Sequence, residues 1–280
     1  PWGSRARPSA AEAALPRATT AVLVNGARFY VDHAHPEYSS PEVLTPRDAL
    51  IWDRAGEVVA RRAMTALDEG NVDAPAQIVL YKNNVDGKGA AYGSHENYLV
   101  RRDVPFEALA EVLTPFLVTR PVLVGSGRVG IGQRSERPGF QISQRADYVE
   151  SEIGLQTTFN RPIINTRDEP HADNARWRRL HVINGDANRF DVPIYLKVAT
   201  TDLLLWFLEQ AFTEGSGRFK EALARLNDLT IIGDPVEEHW ALSHDPSLSH
   251  ELRTQAGAMT ALEVQRAFLD AVSPAVTRVE

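Results

Sequence analysis

The sequence predicts an α+β fold in which an antiparallel sheet packs against helices, and three observations carry that expectation. Strand-like and helix-like patterns interleave unevenly along the 280 residues, without the regular βαβ alternation of a doubly wound parallel sheet. A hairpin signature, AVLVNGARFYVD over 21–32, sets the turn formers Asn25 and Gly26 between two strand-like runs. Long helical periodicities follow at 46–67, 105–119 and 195–212.

Residues 1–20 are rich in Ala, Pro, Arg and Ser without periodicity, which predicts a mobile N-terminal segment ahead of one folded region, 21–280. In the second strand of the hairpin, a period of two puts Arg28, Tyr30 and Asp32 on one face and Ala27, Phe29 and Val31 on the other. Pro46–Leu67 carries helical spacing at Ala49, Trp52, Ala55, Val59 and Ala63. Thr45 suits its N-cap, Pro46 its first position and Gly70 its stop. Two strands are expected at Ala76–Lys82 and Ala91–Val100, separated by the turn-forming NNVDGKG. Pro105–Thr119 reads as a helix with Phe106, Leu109, Ala110, Leu113 and Phe116 or Leu117 on its apolar face. Strand-like pieces recur at Phe140–Ala146, Ile163–Asn165 and Leu180–Ile183. Tyr195–Phe212 is apolar on nearly every face, so it predicts a buried helix. Arg218–Leu226 and Thr260–Val272 complete the helices, the second opened by a capping box of Thr260 and Glu263.

Composition removes several classes of function. With 37 acidic against 30 basic side chains the net charge is -7, which argues against broad binding to nucleic acid, a process driven by counterion release on a basic surface. The chain has no cysteine, which excludes disulfides, thiolate metal sites and a cysteine nucleophile and agrees with a reducing cytoplasm. The densest apolar run, Leu203–Phe207, is far shorter than the ~20 residues that span a bilayer, and the N-terminus has no apolar signal core. A cytoplasmic protein with neither a nucleic-acid nor a membrane partner is therefore expected. A G-x-S-x-G nucleophile elbow does not occur.

Three groups of residues have the chemistry of a site. The first is RFYVDHAHPEYSS over 28–40, where a cation, a phenol and a carboxylate on one strand face are followed by a second carboxylate, Glu37. Hard oxygen ligands beside a guanidinium suit a magnesium nucleotide, and an exposed strand face with ordinary ion pairs is the alternative. His33 and His35 resemble a zinc pair but lack a nearby third ligand. The second group is YGSHENY over 92–98: in a strand, His95 and Asn97 share a face and reach a ligand above the sheet, next to the glycine-bearing loop 86–89. The third, from Gln141 to His181, is dense in arginine. Arg145 and Arg167 sit beside apolar strand sequence and are expected to have anionic partners, either carboxylates such as Asp147, Asp168 and Glu169 or nucleotide phosphates. The glycines between Gly125 and Gly132 precede no helix pattern, so they predict a glycine-rich hairpin or ligand-lining loop and not a dinucleotide fingerprint.

The stretches YVDHAHPEYSSPE (30–42), YKNN with YGSHENYLV (81–100), GRVGIGQ (127–133), FQISQRADY (140–148), RPIINTRDEPHAD (161–173) and RRLHVINGDAN (178–188) resemble the Pup ligase and deamidase family of the glutamine synthetase-like carboxylate-amine ligases. The form DHAHPEYSSPE, with INTRDEPHAD, looks like the deamidase and depupylase branch. That resemblance implies a glutamine synthetase-like sheet, ATP and Mg2+ as cofactors, and Pup and pupylated proteins as partners. The implied activity is ATP-dependent deamidation of the C-terminal glutamine of Pup and hydrolysis of the isopeptide bond joining Pup to lysine. Pup ligation within the same family and a non-catalytic Pup-binding remnant are the alternatives. By resemblance Asp32 is the catalytic carboxylate, acting as nucleophile or as base for water, and Arg28, Ser40, His95, Arg167 and His181 bind nucleotide, with Asn97 beside them. Tyr30, Glu37, His95 and His181 fall at the metal site. No match to the family's glutamate-bearing first strand precedes Ala21, and none to its smaller C-terminal domain follows, so 21–280 is expected to be a partial catalytic domain.

Overall fold

In the computed structural model, which describes residues 20–32, 35–70, 78–86, 90–131 and 138–276, Gly26 makes the first turn with φ +86°. A residue with a Cβ rarely adopts that conformation, and Asn25 Oδ1 closes the turn by accepting from Ala27 N at 3.1 Å. The turn joins β1 (Thr20–Val22) to β2 (Arg28–Asp32), and β3 (His35–Ser39) completes an antiparallel sheet in the order β1-β2-β3. Helix α1 (Pro46–Gly70) follows, capped as its sequence predicts: Thr45 Oγ1 accepts from Asp48 N at 3.1 Å. Gly56 leaves room for the ring of Tyr38, since a Cβ there would lie 2.9 Å from Tyr38 Cγ. These elements belong to one compact unit, divided from a second between Leu80 and Tyr81. The predicted N-terminal segment up to residue 19, His33, the start of the strand expected at 76–82, the glycines of the loop 86–89 and Gly132 lie outside the described residues.

The second unit is built on a four-stranded sheet of β4 (Glu96–Arg101), β7 (Val149–Gly154), β8 (Arg161–Asn165) and β9 (Trp177–Val182), in the order β4-β9-β8-β7. Between β4 and β7 run α2 (Phe106–Thr119), α3 (Pro121–Val124) and the hairpin of β5 (Arg128–Ile131) and β6 (Pro138–Gln141). The glycine-rich segment at 125–132 thus contributes to a hairpin. After β9 come α4 (Asp191–Thr213), α5 (Ser216–Asn227), α6 (Pro235–Ser243), the hairpin β10 (Glu251–Thr254) and β11 (Gly257–Thr260), and α7 (Ala261–Val276). The capping box of α7 forms in both directions, Thr260 N donating to Glu263 Oε2 at 2.8 Å and Glu263 N to Thr260 Oγ1 at 3.4 Å.

Helix α2 is the centre of the core. Its Leu113, Phe116 and Leu117 are buried with Val100, Leu180 and Val182 of the sheet, Leu204 and Leu208 of α4, and Phe268 of α7, whose ring meets Phe116 edge-on at 5.4 Å. Helix α4 is apolar as predicted, but Lys197 and Thr201 are buried in it as well. No helix among the described residues is long and apolar enough to cross a membrane.

Three expectations change. Residues 78–83 form no strand, and the strand expected at 91–100 begins only at Glu96, because Tyr92 N donates to Asn84 O and Asp86 N to Ala90 O, closing a narrow loop instead. The strand expected at Phe140–Ala146 stops at Gln141, where Asp186 takes the amides of Gln144 and Arg145 out of any ladder. The sheet is mixed: β7, which its polar sequence VESEIG concealed, runs parallel to β8, the two joined by residues 155–160.

His239 of α6 is buried, with Nδ1 3.0 Å from Val118 O, and burial lowers its pKa. Below the ordinary histidine pKa the unfolded chain binds a proton there while the folded chain resists it, so stability drops as pH is lowered through that value and rises as pH is raised. Lowering the pH from about 7.5 to 5.5 is expected to remove at most about 1 kcal/mol of unfolding free energy through this residue, and His239→Gln to flatten the pH dependence correspondingly in urea titrations. An unchanged pH dependence in the variant is the contrary result.

Candidate functional site

In the first unit the β2–β3 register builds one polar face. Arg28 pairs with Ser39, Tyr30 with Glu37 and Asp32 with His35, so the side chains that period two puts together on β2 meet three more from β3. The Tyr30 hydroxyl donates to Glu37 Oε1 and lies 3.4 Å from Ser39 Oγ. Burial, then the Glu37 carboxylate, hold the Tyr30 phenol above its ordinary pKa, so it stays a neutral donor. Ser39 faces Arg28, whereas the predicted Ser40 follows the strand and is exposed.

In the second unit His181 of β9 is the centre. It is 5 % exposed and stands opposite Asn97 of β4 and Asn165 of β8. Its Nδ1 lies 3.3 Å from Asn165 Oδ1 and 3.4 Å from Arg179 Nη2, and its ring meets that of His95 edge-on at 5.0 Å. Burial, followed by His95, Arg179 and Arg167, pushes the His181 imidazole down to about 3, so it is neutral at physiological pH amid arginine charge. Arg167 is exposed, 3.2 Å from Glu169 Oε2, and its backbone N donates to Asn165 Oδ1 at 2.9 Å. His95 precedes the first paired residue of β4, so it reaches His181 from the strand entrance and not as a strand neighbour of Asn97.

Beneath this face lies a buried polar layer. Glu96 and Arg120 form a bidentate ion pair with both contacts at 2.8 Å, and Thr201 Oγ1 accepts from Arg120 at 2.9 Å. Burial opposes the Glu96 anion, yet Arg120 and Lys197 hold its carboxyl below the ordinary carboxylate range. Lys197 Nζ donates to Asp186 O at 2.8 Å and Ser94 Oγ at 3.2 Å. Of the two kinds of partner expected for Arg145, a carboxylate is not found: among the described residues its buried guanidinium forms no ion pair but donates to the carbonyl of Tyr92, its Nε meets no partner, and burial with Arg161 nearby lowers its pKa to about 10. Of the predicted carboxylates, Glu169 pairs with Arg167 as expected, whereas Asp147 pairs with Arg128 and Asp168 with Arg102.

Asn165 and Arg179 belong to the arginine-dense candidate group of 141–181 without an assigned role, whereas Lys197 and Arg120 are not among the predicted site residues. Period two from His181 reaches Arg179, and lone cations in apolar helical sequence mark Arg120 and Lys197, but the partners of those cations lie far off in the chain. Among the described residues no three His, Cys, Asp or Glu side chains are gathered to hold a metal ion.

The family model described as Pup-ligase protein matches residues 3–280. The chain belongs to this family. The Pup deamidase/depupylase of Mycobacterium tuberculosis is 53% identical over 260 residues, which are 92% of this chain and 49% of that protein. A Pup–protein ligase of Bifidobacterium longum is 43% identical over 263 residues, 91% of this chain and 51% of the relative. Among solved structures, the Pup ligase PafA of the prokaryotic ubiquitin-like modification pathway in complex with ADP superposes with TM-score 0.78 at 38% identity, covering 93% of this chain and 54% of PafA. The chain thus spans about half the length of the relatives it matches. Within this Pup-ligase family member, the Glu96–Arg120 pair underlies the strand that presents Asn97. Glu96→Gln leaves a guanidinium buried without its anion and is expected to cost about 3–5 kcal/mol in denaturant unfolding. A loss under about 1 kcal/mol, the scale of exposed pairs, would mean that Arg120 is satisfied without it.

Proposed function

We propose that this chain carries catalytic residues of a Pup deamidase and depupylase that hydrolyses the C-terminal glutamine amide of Pup and the Pup–lysine isopeptide bond in the cytoplasm, with ATP and Mg2+ as cofactors. The observation that carries the reading is the higher identity to a Pup deamidase/depupylase, 53%, than to a Pup–protein ligase, 43%. Pup ligation remains the second reading, favoured by the likeness to PafA. Pup and pupylated proteins are the partners in either case.

Asp32 is the catalytic carboxylate in this reading. It either attacks the amide carbon to form an acyl-aspartate that water then hydrolyses, freeing the carboxylate, or takes a proton from the water that attacks; in both cases the C–N bond breaks and the nitrogen leaves as ammonia or as the lysine amine after gaining a proton that water supplies. Arg28, Ser40, His95, Asn97, Arg167 and His181 are assigned to the nucleotide. The arginines supply charge for phosphate, and a neutral His181 supplies an imidazole without adding to that charge. The phenol of Tyr30 and the carboxylate of Glu37, side by side across β2 and β3, are hard oxygen donors that fit magnesium. By resemblance His95 and His181 also carry a metal assignment, although imidazole suits phosphate contact better than magnesium ligation. A bound magnesium ion would neutralise phosphate charge.

Asp32→Asn keeps the shape of the side chain but removes both the nucleophile and the base. Pup deamidation is expected to fall by at least the ~10²–10⁴-fold typical of losing a proton-transfer group, with ADP affinity unchanged in calorimetric titration. Undiminished deamidation would remove Asp32 from the mechanism. Consumption of ATP with isopeptide formation would transfer the protein to the ligase reading.

A further inference from the structure

His95 lies outside the ladder, whose first pair is Glu96 with Val182, yet its ring stands in a defined edge-on contact with His181. A ring carried on backbone beyond the sheet needs other restraints. We propose that Gly93, Ser94, Lys197 and Arg145 act together as positioning residues that set the His95 ring against His181.

Each of the three residues before His95 is constrained differently. The carbonyl of Tyr92 accepts from the buried guanidinium of Arg145. Gly93 provides clearance, because a Cβ there would lie 2.8 Å from His95 Cδ2, so the imidazole folds back over a surface only glycine leaves open. The hydroxyl of Ser94 accepts from the buried ammonium of Lys197 at 3.2 Å. Both cations are fixed to the same residue: Arg145 through its backbone N to Asp186 Oδ1 at 3.2 Å, and Lys197 through Nζ to Asp186 O at 2.8 Å. Asp186 follows closely on the end of β9, the strand that carries His181. One turn of chain is therefore the common reference for both imidazoles. Two buried charges aimed at a carbonyl and a hydroxyl of one short segment cost desolvation, and the return is a fixed direction for that segment.

The effect of this device on ligand binding rests on the assignment of His95 to the nucleotide, whereas the placement of the ring does not. The test therefore reads the two separately. Imidazole proton–nitrogen correlations of His95 and His181 are recorded for the 15N-labelled chain and for Ser94→Ala, Gly93→Ala, Lys197→Met and Ser94→Thr, with thermal midpoints and ADP titrations on each. Ser94→Ala and Gly93→Ala are expected to shift or broaden the His95 signals while the midpoint stays within about 4 °C, the change that about 1 kcal/mol produces in a domain of this size. Ser94→Thr, which keeps the hydroxyl, is expected to restore the parent signals, and Lys197→Met to reproduce the Ser94→Ala shift. The ADP dissociation constant is expected to rise about 3–10-fold in Ser94→Ala and Gly93→Ala, equivalent to about 0.7–1.4 kcal/mol. His95 signals that stay in place in both of these variants would overturn the proposal. Signals that move with ADP affinity unchanged would uphold the positioning device and remove His95 from the nucleotide site.

Discussion

Four donors converge on the carboxylate of Asp186: the backbone amides of Ser126, Gln144 and Arg145 and the hydroxyl of Ser143. A carboxylate buried to this degree is tolerable only when its oxygens are saturated, and these donors come from two loops with no ladder of their own. The residues around it extend the same arrangement. Ala187 exchanges two hydrogen bonds with the side chain of Asn84, and Asn188 donates to Val124 O at 2.7 Å. Gly185 passes so close to the Glu96–Arg120 pair that a Cβ would meet Glu96 Oε1 at 2.7 Å. The segment leaving β9 thus fixes the loops around the His181 face, and the geometry of that face depends on it.

The division between what the sequence discloses and what it hides follows the range of the interactions. The Asn25–Gly26 turn, the Thr45 cap, the Thr260–Glu263 box and the apolar stripe of α2 are decided within a few residues, and each is legible from local pattern. Strand β7 shows little apolar alternation, since only Val149 is buried, Ser151 takes the next position on its face and Ile153 is exposed, so nothing local marks it. Arg145 shows the limit of charge arithmetic. A buried cation requires acceptors, but a carbonyl brought in by the fold serves where a carboxylate is expected.

The candidate site divides in the same way. Period two identified the Arg28, Tyr30 and Asp32 face, and only the register of β3 supplies Glu37 and Ser39 opposite them. His95 was legible as a candidate, but its contact with His181 was not, because the ladder begins at Glu96 and leaves His95 just outside it. The result around His181 is an imidazole kept neutral by burial first, then by the neighbouring His95 and by the guanidinium groups of Arg179 and Arg167.

The connection between β7 and β8 has a further implication. Parallel neighbours ordinarily need a crossover of a dozen residues or more, yet here residues 155–160 carry the chain back from Gly154 to Arg161, opposite Val149. The seven steps from Gly154 to Arg161 reach about 24 Å when fully drawn out, and the length of β7 to be retraced is about 16 Å. The link therefore has length to spare, and what fixes it is a contact. Gln156 within it accepts from Asn165 Nδ2, the side chain whose oxygen stands beside His181. A deletion that moves the Gln156 carbonyl would take away this support of the Asn165 side chain, whatever the reach of the remaining link. Added residues would bulge outward at Leu155 and Phe159, both already facing solvent. The link thus acts on the histidine through what Gln156 touches and not through how far it stretches.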